Sequence, residues 1–214
     1  MTGLAGLLNL LCLSDSRLPT GGHVHSGGVE EAVTSGLVVD LVTLEAFLRR
    51  RIRTQALVTA SIAAAVHAGR LAPTDADRET DARTPSPAAR QASRSQGRGL
   101  LRLAARVWPS DDWARLGRSP HLPVVAGLVG RAGGLTAEQT ALSLVYTTMT
   151  GSATAAQRLL ALDPAEVAAV TFTLSELCEH TAGEAVRGLS DLSDPLLDTL
   201  AQRHAARERP LFVS

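Results

Sequence analysis

His23 and His25, one residue apart, and a helix-spaced set, Glu176, His180 and Glu184, are the side chains of this sequence best suited to hold a metal ion. Imidazole nitrogen suits zinc, nickel or copper, and an extended loop would turn both His23 and His25 outward. Two ligands make a weak site, so loop hydrogen bonding or plain exposure is the simpler reading. Glu176, His180 and Glu184 share one helix face beside Glu179, but a carboxylate-bridged metal needs matching Glu-x-x-His motifs on other helices. None is present, and a surface network is the simpler reading there. Arg158 follows the small-residue stretch GSATAAQ, where helices can approach closely. Its guanidinium could meet a partner's carboxylate or phosphate, or an acid of the same chain. Glu30 and Glu31 point about 100° apart on a helix, which does not bracket a substrate, whereas the first turn of a helix favours acids through its dipole. No G-x-S-x-G elbow marks a nucleophile. All 21 basic residues are arginine, so there is no lysine for a Schiff base, a phosphate-binding loop or a kinase site. The expectation is a protein that is not an enzyme.

The elements that must position these residues read as helices. Ala and Leu dominate, and aromatic residues make up only 3% of the chain, which favours helix over strand. Leu4, Leu7, Leu8 and Leu11 begin a short helix that fails before Pro19. The stretch SRLPTGGHVHSGG carries four glycines and a proline and reads as a shaped loop. A second short helix runs from near Ser26 or Gly28 to Gly36. Asp40 and Thr43 offer capping oxygens before a long helix over 44–67. Residues 72–87 predict a short helix flanked by mobile turns. The helix over 88–107 carries Arg90, Arg94, Arg98, Arg102 and Arg106 at a spacing of four. That row is either a solvated face offset by acidic neighbours or a docking face for an acidic protein. Further helices are predicted over 122–131, 136–161, 164–185 and 194–207, with Asp163-Pro164 and Asp194-Pro195 each placing a cap before a first-turn proline. The expected fold class is all-α, a single domain over 1–214 built as a bundle of about eight to ten helices.

Length and charge bound the remaining options. A chain of 214 residues buries a sizeable core without metal or disulfide staples. Net charge is zero, which argues against nucleic acid as a partner. Cys12 and Cys178 are too far apart for a CxxC pair and read as small buried hydrophobes. No stretch offers 18 uninterrupted apolar residues for a membrane span, and the N-terminus makes a poor signal peptide. A cytoplasmic chain without a membrane partner is expected.

The loop and short helix LSDSRLPTGGHVHSGGVEEAV, the segment RQASRSQGRGLLRLA, the run His121-Leu122-Pro123-Val124-Val125-Ala126-Gly127, the helix end Ala156-Gln157-Arg158-Leu159 and the ending Arg209-Pro210-Leu211-Phe212-Val213-Ser214 occur in that order. Together they closely resemble the urease accessory protein UreF family across essentially the whole chain. The resemblance implies an all-helical, dimerising adaptor in urease maturation. It would bridge the scaffold protein UreD (also called UreH) and the GTPase UreG, regulating GTP-dependent nickel delivery to apo-urease. Nickel and GTP would enter through the partner GTPase, with no cofactor held tightly by the chain itself. By the same resemblance Ser26, Gly28 and Glu30 belong to a surface for assembly with the GTPase. Arg158 matches a basic position used in partner function, and the tail 208–214, with Leu211, Phe212 and Ser214, orders on the scaffold. The alternatives left by the residues alone are a helical metal-binding protein using His23, His25 or the Glu176/His180/Glu184 face, and a helix-bundle regulator of another client.

Overall fold

Local capping chemistry sets most of the helix starts. Asp40 accepts the Thr43 amide while the Thr43 hydroxyl covers the Asp40 amide, a reciprocal box that opens α3 (Leu41–Arg51). Thr136 and Gln139 form the same box before α8 (Ala137–Leu160). Asp163 and Asp194 cap α9 (Pro164–Thr173) and α11 (Pro195–Ala205), each followed by proline in the first turn, where its missing N–H has no intrahelical role. The computed structural model describes residues 4–20, 22, 25–109, 111–192, 194–208 and 210–212. The other helices are α1 (Leu4–Ser14), α2 (Val29–Thr34), α4 (Leu57–His67), α5 (Pro73–Ala82), α6 (Pro87–Val107), α7 (Leu122–Ala132) and α10 (Ser175–Ala185), with a short 3₁₀ turn at Ala114–Leu116. Among the described residues there is no strand, and the fold is all-α as expected.

The predicted helix over 44–67 is a continuous rod with a flaw in its middle. α3 passes into a π-helical turn, Ile52–Ala56, and then into α4. Counting that rod as one element gives ten helices among the described residues, the 3₁₀ turn aside. α4 is the axis of the fold, because Leu57, Val58, Ala60, Ile62, Ala63, Ala64 and Val66 are all buried and its neighbours are α7, α8 and α10. A helix that is apolar all round belongs in an interior. One apolar cluster gathers Val29, Leu44, Leu48, Ile52, Met149, Leu174 and Leu200 on one side of α4 and α8, and a second gathers Ile62, Val66, Leu100, Val124, Val125 and Val129 on the other.

The expected single helix over 164–185 is instead two helices that break at Leu174. The reason is local: the Ser175 hydroxyl donates to the Phe172 carbonyl and the Thr173 hydroxyl to the Ala169 carbonyl, and such side-chain bonds bend helices. Leu174 itself is fully buried, and the bend turns Cys178, Ala182 and Ala185 of α10 onto the core. Cys178 is buried as expected, but Cys12 is exposed, because α1 also leaves Leu7, Leu8 and Leu11 open on one side. Residues 73–82 form the predicted short helix. Its C-terminal flank is tied down by Arg83, which bonds Glu79, the Ser190 carbonyl and Asp191.

Asp194 also closes the fold over long range. Its carboxylate accepts the Leu196 and Leu197 amides and pairs with Arg50 at 2.6 Å, with its side chain only 3% exposed. Asp194→Ala is expected to lower stability by about 2 kcal/mol, combining cap loss with a broken, partly buried ion pair. Urea unfolding checks this, and Asp194→Asn, which keeps a capping oxygen, should recover part of the loss.

Candidate functional site

Gly27 and Gly28 both take positive φ, 64° and 88°, a backbone region that favours glycine. This turn delivers the chain into α2 with Ser26 fully buried and Glu30 only 2% exposed. The Ser26 hydroxyl accepts the Glu30 amide at 3.4 Å. The Glu30 carboxylate then meets the far end of the chain. Oε1 accepts the Leu211 amide at 2.8 Å, and Oε2 accepts the Phe212 amide at 3.0 Å and the buried His204 Nε2 at 2.8 Å. Glu31 lies beside it and pairs with Arg207 at 3.0 Å. Burial pushes the Glu30 carboxyl up, but the Leu211, His204 and Phe212 donors more than reverse this and hold it below its ordinary value. Ser26, Gly28 and Glu30, expected to take part in assembly with the GTPase, are thus engaged within the chain itself. All three are buried, and the motif acts as an internal clasp for the C-terminal segment. Of that segment, Phe212 packs against the core while Leu211 is 80% exposed. Ser214 lies outside the described residues.

A cleft of about 570 Å³ runs beside this clasp and is lined by His25, Gly28, Arg51, Ser152, Arg158 and Phe212 among others. The structure thus gathers three regions that the sequence separates: the glycine turn, the small-residue face of α8 and the tail. Arg158 sits exposed in the last turn of α8 and forms no ion pair among the described residues, so the intramolecular reading of this arginine does not hold. His25 is half-buried at the cleft wall; His23 lies outside the described residues.

Glu176, His180 and Glu184 are exposed on α10 and do not converge. Among the described residues the one acid and histidine group whose ligand atoms lie within 4.8 Å of one another is Asp77, Asp81 and His121. A protein cation already fills it, because Arg94 lies 2.9 Å from Asp77 and 2.7 Å from Asp81. The His121 ring is fully buried, and that burial holds it below its ordinary value. Its Nε2 donates to Asp81 and its Nδ1 accepts from Ser93. Part of the arginine row is thereby internal: Arg94 binds α5 and Arg90 lies 3.8 Å from Asp81, while Arg98, which bonds Ser119, and Arg102 and Arg106 are exposed.

Comparison with known proteins decides what this architecture is. The UreF family profile matches residues 38–175. The chain belongs to the UreF family. It is 74% identical to the urease accessory protein UreF of Mycolicibacterium vanbaalenii over 214 residues, covering 99% of this chain and 100% of that one. It is 74% identical to the UreF of Mycobacterium marinum over 208 residues, 97% and 99% of the two chains. It is 72% identical to that of Mycobacterium tuberculosis H37Rv over 214 residues, the full length of both. The UreF profile takes in Arg158 but neither the glycine turn nor the tail, so the Glu30 clasp joins two regions that flank the matched segment. Sequence reasoning overlooked Arg51, His204 and Asp194 as partners in tertiary contacts. The Arg49-Arg50-Arg51 run carries no signal that separates its members. Among the described residues no helix of this UreF-family chain is long and apolar enough to cross a membrane.

Proposed function

We propose that this chain is a urease maturation factor that works as a cytoplasmic adaptor, joining the UreD/UreH scaffold to the UreG GTPase and regulating GTP-dependent nickel delivery to apo-urease. It supplies docking surfaces and no catalytic nucleophile, and nickel and GTP come with the GTPase. The observation that carries the reading is the full-length similarity to named urease accessory proteins in a chain whose Arg158 is exposed and without an ion-pair partner among the described residues. Arg158 would meet an acidic group of a partner. The tail, held by Glu30 with Leu211 left exposed, would offer an apolar residue to the scaffold. The exposed Leu7, Leu8 and Leu11 of α1 support association with a second copy.

Arg158→Ala tests this directly. Co-purification with UreD and UreG, with and without GTP and nickel, should show loss of the mixed complex by light scattering. Stability should stay within about 0.5 kcal/mol of the parent, as for other surface substitutions. Unchanged complex formation together with unchanged urease activation would overturn the role given to Arg158. Stoichiometric, tight nickel binding by the isolated chain would favour the metal-binding alternative instead.

A further inference from the structure

α6 runs for 21 residues with five arginines and not one acid. Like charges four residues apart disfavour a helix, and the first half of α6 answers this with α5. Arg94 lies 2.9 Å from Asp77 and 2.7 Å from Asp81, and Arg90 lies 3.8 Å from Asp81. The two helices thus meet antiparallel, with carboxylates at a spacing of four on one against guanidinium groups at a spacing of four on the other. The ladder stops where α5 begins, because the position four before Asp77 is Pro73, the first residue of that helix.

Beyond that point the arginines continue and the acids do not. Arg98, Arg102 and Arg106 are exposed. Arg98 bonds the Ser119 hydroxyl at 2.8 Å, and none of the three has an ion-pair partner among the described residues. A helical rise of about 1.5 Å per residue gives the row a length of about 12 Å. Arg118, exposed beside Ser119, adds a further charge at the Arg98 end, and Val107, 51% exposed, adds an apolar edge beside Arg106. Asp111 and Asp112 of the following loop are exposed and form no ion pair among the described residues, so they do not close the row.

We infer that Arg98, Arg102 and Arg106 are a docking surface for an acidic helix of a partner protein. That helix carries carboxylates at every fourth position and lies along the second half of α6 as α5 lies along the first. Planar guanidinium groups bind carboxylates through paired N–H donors, and a complementary charged row sets register and speeds encounter more than it adds affinity. Nucleic acid is the poorer fit. The formal net charge is zero, and Trp108 and Trp113, which follow the row, pack into the core and offer no stacking platform.

Fluorescence anisotropy of a labelled, alanine-based helical peptide with glutamate at every fourth position, titrated with the full chain at low and at physiological ionic strength, tests the surface. Saturable binding of one peptide per chain, weakened by salt, is expected. The same peptide with glutamine at those positions should bind at least about tenfold more weakly. Arg102→Glu with Arg106→Glu should cost the glutamate peptide at least about tenfold, because like charges then face each other. Arg187→Glu with Arg203→Glu makes the same change in net charge at exposed arginines elsewhere and should bind like the parent. Absence of saturable binding overturns the inference, as does equal binding of the two peptides or equal loss in the two double variants. Tighter binding of a DNA duplex through the same arginines would make the occupant nucleic acid, and self-association abolished by the Arg102 and Arg106 reversals would make it a second copy; either overturns the assignment. Should that double variant fail to fold, Arg102→Gln with Arg106→Gln decides, and parent-like binding in it overturns the surface.

Discussion

Glu30→Ala is expected to destabilise the chain by about 3 kcal/mol and to release residues 211–212 from the body of the protein. The carboxylate accepts three hydrogen bonds, two from tail amides and one from the His204 ring. Removing it leaves those donors without their acceptor, and a buried donor left unmet costs about 1–3 kcal/mol. Glu30→Gln keeps the shape and one acceptor oxygen but loses the charge, so an intermediate loss of about 1–2 kcal/mol is expected. The pH dependence follows from the depressed carboxyl. Its contribution is complete above the ordinary glutamate value near 4.5 and is lost as the pH falls through the lower value of the folded state. Hydrogen exchange of the Leu211 and Phe212 amides should therefore be slow and pH-corrected rates constant above that point, then accelerate in acid. In Glu30→Gln the acid step should disappear. An unaltered acid step in that variant, or amides that exchange equally fast in the parent and in Glu30→Ala, would sink the assignment of Glu30 as the clasp.

The second large effect is expected at Gly127, in the contact of α7 with α4. A Cβ placed there would lie 2.5 Å from the Ala63 carbonyl oxygen and 2.8 Å from the Val66 Cβ. Alanine is favoured over glycine in a helix interior by about 1 kcal/mol, but the main obstacle here is backbone, which no rotamer change can move. Overpacking of this kind costs about 1–3 kcal/mol or more, so Gly127→Ala should be net destabilising by about 2 kcal/mol, roughly 4–8 °C in unfolding temperature for a chain of this size. Gly151 supplies the contrast, since a Cβ there meets nothing within 4 Å. Gly151→Ala should leave stability unchanged or raise it by up to about 1 kcal/mol. If the two substitutions behave alike in thermal unfolding, close approach of α7 to α4 is not what glycine provides at 127.

Much of the helical layout was legible because its causes are local. The Asp40–Thr43 box and the Asp163-Pro164 and Asp194-Pro195 starts each depend on groups within about three residues, and the observed caps follow the expected ones. The break at Leu174 was missed because its apolar pattern continues through the bend. Only the hydroxyl bonds around Phe172 and the burial of Leu174 reveal it. The internal partners of Glu30 were equally out of reach: residue type marks a carboxylate, but not which way the turn before it aims the side chain.

By itself the sequence determined the all-helical class, the order and most bounds of the helices, and the family, since periodicity, capping and motif order all lie along the chain. Tertiary structure alone decided which charges are satisfied. Glu30 finds its amide donors 181 and 182 residues away and Arg50 its acid 144 residues away. Arg94 is consumed between two aspartates of α5, while Arg51 and Arg158 are left without an ion-pair partner among the described residues. A guanidinium's partner is set by which helices pack together, and that packing is fixed by the burial of α4 and α8 and not by anything written beside the arginine itself.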